Sequence, residues 1–76
     1  AEGDKGDVDK QMRAADAEVV AGAPEKAFDR LIETMKTTAG DDKSRLRERL
    51  LELFGLFEGN DPRVMEARTK LASALY

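Results

Sequence analysis

Three punctuation marks, Gly22-Ala23-Pro24, Gly40-Asp41-Asp42 and Gly59-Asn60-Asp61-Pro62, cut the chain into four stretches, and this division constrains the fold more than any other feature. Each mark pairs a glycine, suited to the left-handed turn after a helix, with a proline or aspartate suited to the start of the next one. Between them the apolar residues recur three and four apart, as the buried stripe of a helix requires. Val8, Met12, Ala15 and Val19 make the first stripe, and Ala27, Phe28, Leu31, Ile32 and Met35 the second. Leu46, Leu50, Leu53, Phe54 and Phe57 make the third, and Val64, Ala67, Leu71 and Leu75 the fourth. No stretch alternates with the period of a strand. The expected fold is therefore all-α, with four helices: from Asp7 to Gly22, from Pro24 to about Thr38, from Asp41 or Asp42 toward Gly59, and from Pro62 to about Leu75. Such short connections make successive helices antiparallel neighbours. Leu51 and Leu56 widen the third stripe beyond what one partner helix covers, so the third helix is expected at the centre, with others leaning on it from both sides. Gly55 inside it is read as the close approach of a neighbouring helix.

The two halves repeat each other. Ala27, Leu31 and Met35 correspond to Ala67, Leu71 and Leu75 at an offset of forty residues. This is the grammar of two stacked helical hairpins in a solenoid.

A chain of 76 residues is one domain, burying roughly 60% of the surface its unfolded form exposes. It has no cysteine and no histidine, which removes disulfides, thiol nucleophiles, imidazole bases and zinc or iron–sulfur sites together. Asp4, Asp7 and Asp9 are spaced like the start of a calcium loop, but the loop's glycine and terminal glutamate are missing at the required offsets. No cofactor, metal or catalytic role is expected. The net charge is −3; residues 1 to 40 carry six basic and nine acidic side chains, and residues 41 to 76 seven of each. Neither half is basic, so no nucleic-acid partner is expected. No stretch approaches the roughly 20 apolar residues of a membrane span. Residues 1 to 6, with two glycines and three charges, are expected to be a flexible leader or linker to a helical domain at 7 to 76.

The run Gly22-Ala23-Pro24-Glu25-Lys26-Ala27-Phe28-Asp29-Arg30-Leu31 resembles the middle of a tetratricopeptide repeat: a turn glycine, an acidic residue, a small alanine at the helix contact, then a large apolar residue four later. Followed by Arg47-Glu48-Arg49-Leu50-Leu51-Glu52-Leu53-Phe54, Asn60-Asp61-Pro62-Arg63-Val64 and Lys70-Leu71-Ala72-Ser73-Ala74-Leu75-Tyr76, it is similar to the C-terminal region of the bacterial thioredoxin-like co-chaperones, or chaperedoxins. The similarity spans about residues 13 to 76. Two features depart from it: the first helix lacks the repeat's early aromatic, and the loop from Thr37 to Lys43 lacks the tryptophan that relatives often carry.

The resemblance implies a cytoplasmic protein in which an N-terminal thioredoxin-fold domain precedes this helical region. It further implies that the whole binds unfolded clients and can hand them to a folding chaperone. Any redox cysteine would then belong to the absent thioredoxin domain. On this reading the chain is a non-catalytic interaction module. A second reading makes it a structural solenoid cap or dimerisation element that contacts no client.

Candidate contact residues follow from the helix faces. Arg45, Arg49 and Glu52 share one face of the third helix, as Asp9, Arg13 and Asp16 share one of the first. First helices of stacked hairpins line the concave surface of a solenoid, where such a mixed-charge strip could hold a peptide; an ordinary solvated face has the same composition. Arg68 and Tyr76, beside Leu71 and Leu75, are candidates for a second, C-terminal edge, although core packing accounts more simply for the two leucines. Asp9 with Arg13, and Glu66 with Lys70, are spaced for pairs along one helix. Arg30 is placed toward water. If a preceding hairpin has been removed, Val8, Met12 and Val20 would form an apolar patch favouring a homodimer.

Overall fold

A computed structural model of the chain describes the backbone of residues 4–75 and the side chains of residues 8–74. Four helices follow one another: α1 (Asp4–Val20), α2 (Pro24–Lys36), α3 (Gly40–Phe54) and α4 (Pro62–Leu75). Among the described residues there is no strand. α1 begins three residues before the expected start at Asp7, so Asp4, Lys5 and Gly6 of the expected leader are helical; residues 1–3 lie outside the described residues.

The junctions are built largely as their residues dictate. Gly22 takes φ +91°; Ala23 N–H donates to Glu18 O at 2.8 Å and Gly22 N–H to Val19 O at 3.1 Å. These two bonds satisfy the last carbonyls of α1 in a Schellman turn. Pro24 then opens α2. At the third junction Asp61 Oδ1 accepts the Arg63 backbone N–H at 2.9 Å, capping α4, whose first residue is Pro62. The second junction differs from expectation. α2 ends at Lys36, where the Thr37 and Thr38 hydroxyls both donate to Thr34 O at 3.0 Å. Ala39, in extended conformation, stands at the N-cap of α3 with no side-chain hydrogen bond, and Asp41 and Asp42 fall inside the first turn. There they favour the positive helix end without capping it.

The helix at the centre is α2, not α3. α2 packs against α1, α3 and α4, whereas the close helix contacts of α3 are with α2 and, more lightly, α1. The cause lies in the width of each buried stripe. α2 buries Pro24, Ala27, Phe28, Leu31, Ile32 and Met35, with apolar residues adjacent in sequence on both flanks of the stripe. α3 buries only Leu46, Leu50, Leu53 and Phe54. Leu51 falls about 100° round the helix from Leu50, and it and Leu56 remain 44% and 66% exposed. Gly55 has no neighbouring helix against it: a Cβ there would meet only the carbonyls of Glu52 and Leu51 in its own turn.

The core is knitted by aromatic edges. Phe28 is fully buried, and its ring meets Phe54 edge-on at 5.0 Å and Phe57 at 5.9 Å. From α4, the Arg63 and Arg68 guanidiniums lie over Phe57 and Phe54 at 5.3 and 5.8 Å. Val64, Ala67 and Leu71 of α4 complete the core with Val8 and Ala15 of α1. The whole measures 38 × 28 × 15 Å, a slab with two broad faces open to solvent.

Candidate interaction face

Where α1 passes α3, the two mixed-charge strips meet. Arg45 Nη2 donates to Asp9 Oδ1 at 2.6 Å and Arg45 Nη1 stands 3.5 Å from Asp42. One turn on, Arg49 Nη1 lies 3.6 Å from Asp16 Oδ2 and 3.7 Å from Glu52. Between these pairs runs a shallow groove of about 320 Å³ lined by Asp9, Met12, Arg13, Asp16, Arg45 and Arg49. It continues past Glu48 and Glu52. Met12, half-buried against the core, supplies its apolar floor.

Asp9 is therefore paired across helices with Arg45 instead of along its own helix with Arg13. The Arg45 guanidinium is held more firmly protonated than usual, first by this hydrogen bond and then by the Asp9 charge. Asp16 Oδ1 is buried and accepts no hydrogen bond, the single buried side-chain oxygen or nitrogen so left among the described residues.

Of the predicted contact residues, Arg13, Asp16, Arg45, Arg49 and Glu52 come together on this face. Arg68 does not; it sits on α4 with its guanidinium over Phe54. Tyr76 and the Leu75 side chain lie outside the described residues. The apolar patch expected from Val8, Met12 and Val20 does not form: Val8 is in the core, Met12 packs against it, and Val20 alone is exposed.

Two features escaped the sequence reading. Leu56 lies in the turn after α3, where its N–H donates to Leu53 O at 3.0 Å, and its side chain is exposed instead of widening the buried stripe. Its distance from the stripe's other members was the available signal. The second is Arg30, expected to face water. Its Nε and Nη2 donate to the two oxygens of Glu18, each at 2.9 Å, and its Nη1 to Gln11 Oε1 at 2.8 Å. Gln11 and Glu18 are seven apart, one above the other on α1, a spacing that could have revealed a common partner. This cluster spans a broad depression of about 630 Å³ between α1 and α2. Its polar groups are already bonded to one another, so it reads as a clasp between the helices.

Across α2 and α4, Lys70 donates to Asp29 at 3.0 Å, in place of the expected pairing with Glu66 along α4. No described helix is long and apolar enough to cross a membrane.

Paired helices stacked side by side, with a charged face where alternate helices meet, define a helical repeat protein of the hairpin type. The chain belongs to the tetratricopeptide repeat family, whose sequence model matches residues 1–76. It is 44% identical over 70 residues to uncharacterized proteins of Mycobacterium bovis and of two strains of Mycobacterium tuberculosis, covering 92% of this chain and 23% of each relative. The chain thus spans about a quarter of the length of these relatives. No solved structure matches it significantly. Tetratricopeptide repeats in general are protein-interaction modules.

Proposed function

We propose that the chain is the non-catalytic, partner-binding module of a thioredoxin-like co-chaperone, and that the α1–α3 face receives segments of unfolded client proteins. The observation that carries this reading is the meeting of Arg45 and Arg49 with Asp9 and Asp16 over the Met12 floor. Surface ion pairs of this kind are weak and exchange readily, so a client's own charges can replace them while its apolar side chains cover Met12. The co-chaperone setting, with a thioredoxin-fold domain elsewhere in the polypeptide and transfer of clients to a folding chaperone, is supported by the sequence resemblance.

The competing reading is a solenoid cap that contacts no client. A terminal cap presents a polar outer face, and the exposed Leu51 and Met65 of α3 and α4 weigh against it.

Light scattering of a chemically denatured client enzyme, with the chain added at increasing ratio, tests the proposal. Suppression of aggregation that Arg45→Ala and Arg49→Ala weaken, with Tyr76 truncation as a parallel arm, is the expected result. No suppression at any ratio overturns client binding and leaves the structural reading.

A further inference from the structure

The groove between α1 and α3 is acidic on balance. Asp9 and Asp16 line it from α1, and Glu48 and Glu52 from α3. Asp42 adds a fifth carboxylate at the rim, 3.5 Å from Arg45. Against these five stand three guanidiniums, those of Arg13, Arg45 and Arg49, and no lysine lines either part of the groove.

The arginines are also the less available partners. Arg45 is held by Asp9 and Asp42, and Arg49 by Asp16 and Glu52. A carboxylate brought to either one would enter beside two others of its own sign. An incoming cation meets the opposite balance, because each arginine is divided between two acids. Glu48 is exposed and forms no ion pair among the described residues. Arg13 does not reverse the sign of the α1 rim, since Asp9 precedes it by four residues and Asp16 follows it by three.

Spacing along α1 adds a shape to this charge. Asp9, Met12 and Asp16 are three and four residues apart, rises of about 4.5 and 6 Å. An extended chain sends side chains to one side at every second residue, about 6.6 Å apart. A segment that sets an apolar side chain on Met12 therefore brings the side chains two places before and after it to the two aspartates, within reach of a flexible lysine.

We propose that the α1–α3 groove selects extended client segments in which lysine or arginine stands two places on either side of one apolar residue. This rests on the client-binding reading of that face and names the class of segment it takes.

The test uses the full chain and three short, fluorescently labelled peptides. The first carries the lysine–apolar–lysine pattern with leucine at its centre, the second glutamate for both lysines, and the third serine for the leucine. Fluorescence anisotropy at about 0.05 M salt is expected to show the first binding at least about tenfold tighter than either of the others. Most of its advantage over the glutamate peptide should vanish at about 0.5 M salt. Glu48→Lys with Glu52→Lys, both at exposed positions, is expected to abolish that advantage. The chain as a whole carries a net charge of −3, so Glu25→Lys with Glu66→Lys makes the same change of charge between α2 and α4, away from the groove. This control is expected to keep the preference, and circular dichroism checks that both variants are folded. Equal or tighter binding of the glutamate peptide, loss of the preference in both variants, or its survival in the groove variant overturns the proposal. So does absence of binding up to about 1 mM peptide. If the chain still suppresses aggregation of a denatured client in any of these cases, client binding stands and only the cationic selection fails; if it does not, both fall.

Discussion

The Arg30 guanidinium and the Glu18 carboxylate lie fork to fork, with two parallel hydrogen bonds of 2.9 Å that fasten α2 to α1. The pair is partly shielded, with side chains 36% and 22% exposed. Bidentate geometry strengthens such a contact, and solvent screening weakens it.

Glu18→Gln is expected to lower stability by about 1 kcal/mol at neutral pH. Glu18 is held below its ordinary value of 4.5, chiefly by the Arg30 hydrogen bond, with burial opposing. A carboxylate depressed in the folded state contributes stability that is fully present above its unfolded pKa and lost as pH falls through the folded one. The difference between wild type and Glu18→Gln should therefore hold above about pH 5 and shrink below it. Urea denaturation across that range checks the window, and a difference constant into acid would refute it.

Phe28 is the residue whose loss the fold tolerates least. It is fully buried and meets two other rings edge-on. Phe28→Ala is expected to cost about 3–5 kcal/mol, against a total of about 4–11 kcal/mol for a chain of this length. Phe57→Ala, at a half-buried ring, should cost visibly less. Chemical denaturation should find the first variant partly or wholly unfolded in buffer and the second folded.

Two glycines should respond to alanine with opposite sign. Gly22 has open space around it but φ +91°, so Gly22→Ala is expected to lose about 1 kcal/mol to backbone strain. Gly55 has ordinary helical torsions, φ −66° and ψ −13°. A Cβ there would lie 3.3 Å from Glu52 O, a contact within its own turn. Gly55→Ala is expected to gain about 0.5–1 kcal/mol by restricting the unfolded chain. Thermal midpoints of the two variants, moving apart from the wild type, check both.

The N-cap of α3 is unfilled. Ala39 has extended torsions and offers no side-chain acceptor to the first turn. Ala39→Asp is expected to raise stability by about 1 kcal/mol through a hydrogen bond to a free N–H near the helix start. Added charge beside Asp41 and Asp42 works against this, so Ala39→Ser should gain nearly as much. A midpoint that falls in both variants would sink the prediction.

What the sequence determined by itself was local. Gly22, Pro24, Asp61 and Pro62 impose torsions and supply caps within a few residues of themselves, so helix number, order and most junctions could be read directly. Membership of the tetratricopeptide repeat family was also legible, because the Gly22 to Leu31 run is a contiguous pattern. The strip on α1 and α3 was legible as two separate faces, since residues three and four apart share a helix side. Only the tertiary structure decided what met what. It placed α2 at the centre, because burial depends on how wide a stripe is after the helix is turned, and neighbours in sequence such as Leu50 and Leu51 can end on opposite sides of the surface. It also redirected the charges. Asp9 has Arg13 one turn away and Lys70 has Glu66, yet each pairs with a residue on another helix, Arg45 and Asp29. Spacing along one helix sets which pairs are within reach, but only the packing of two helices sets which reach is shortest.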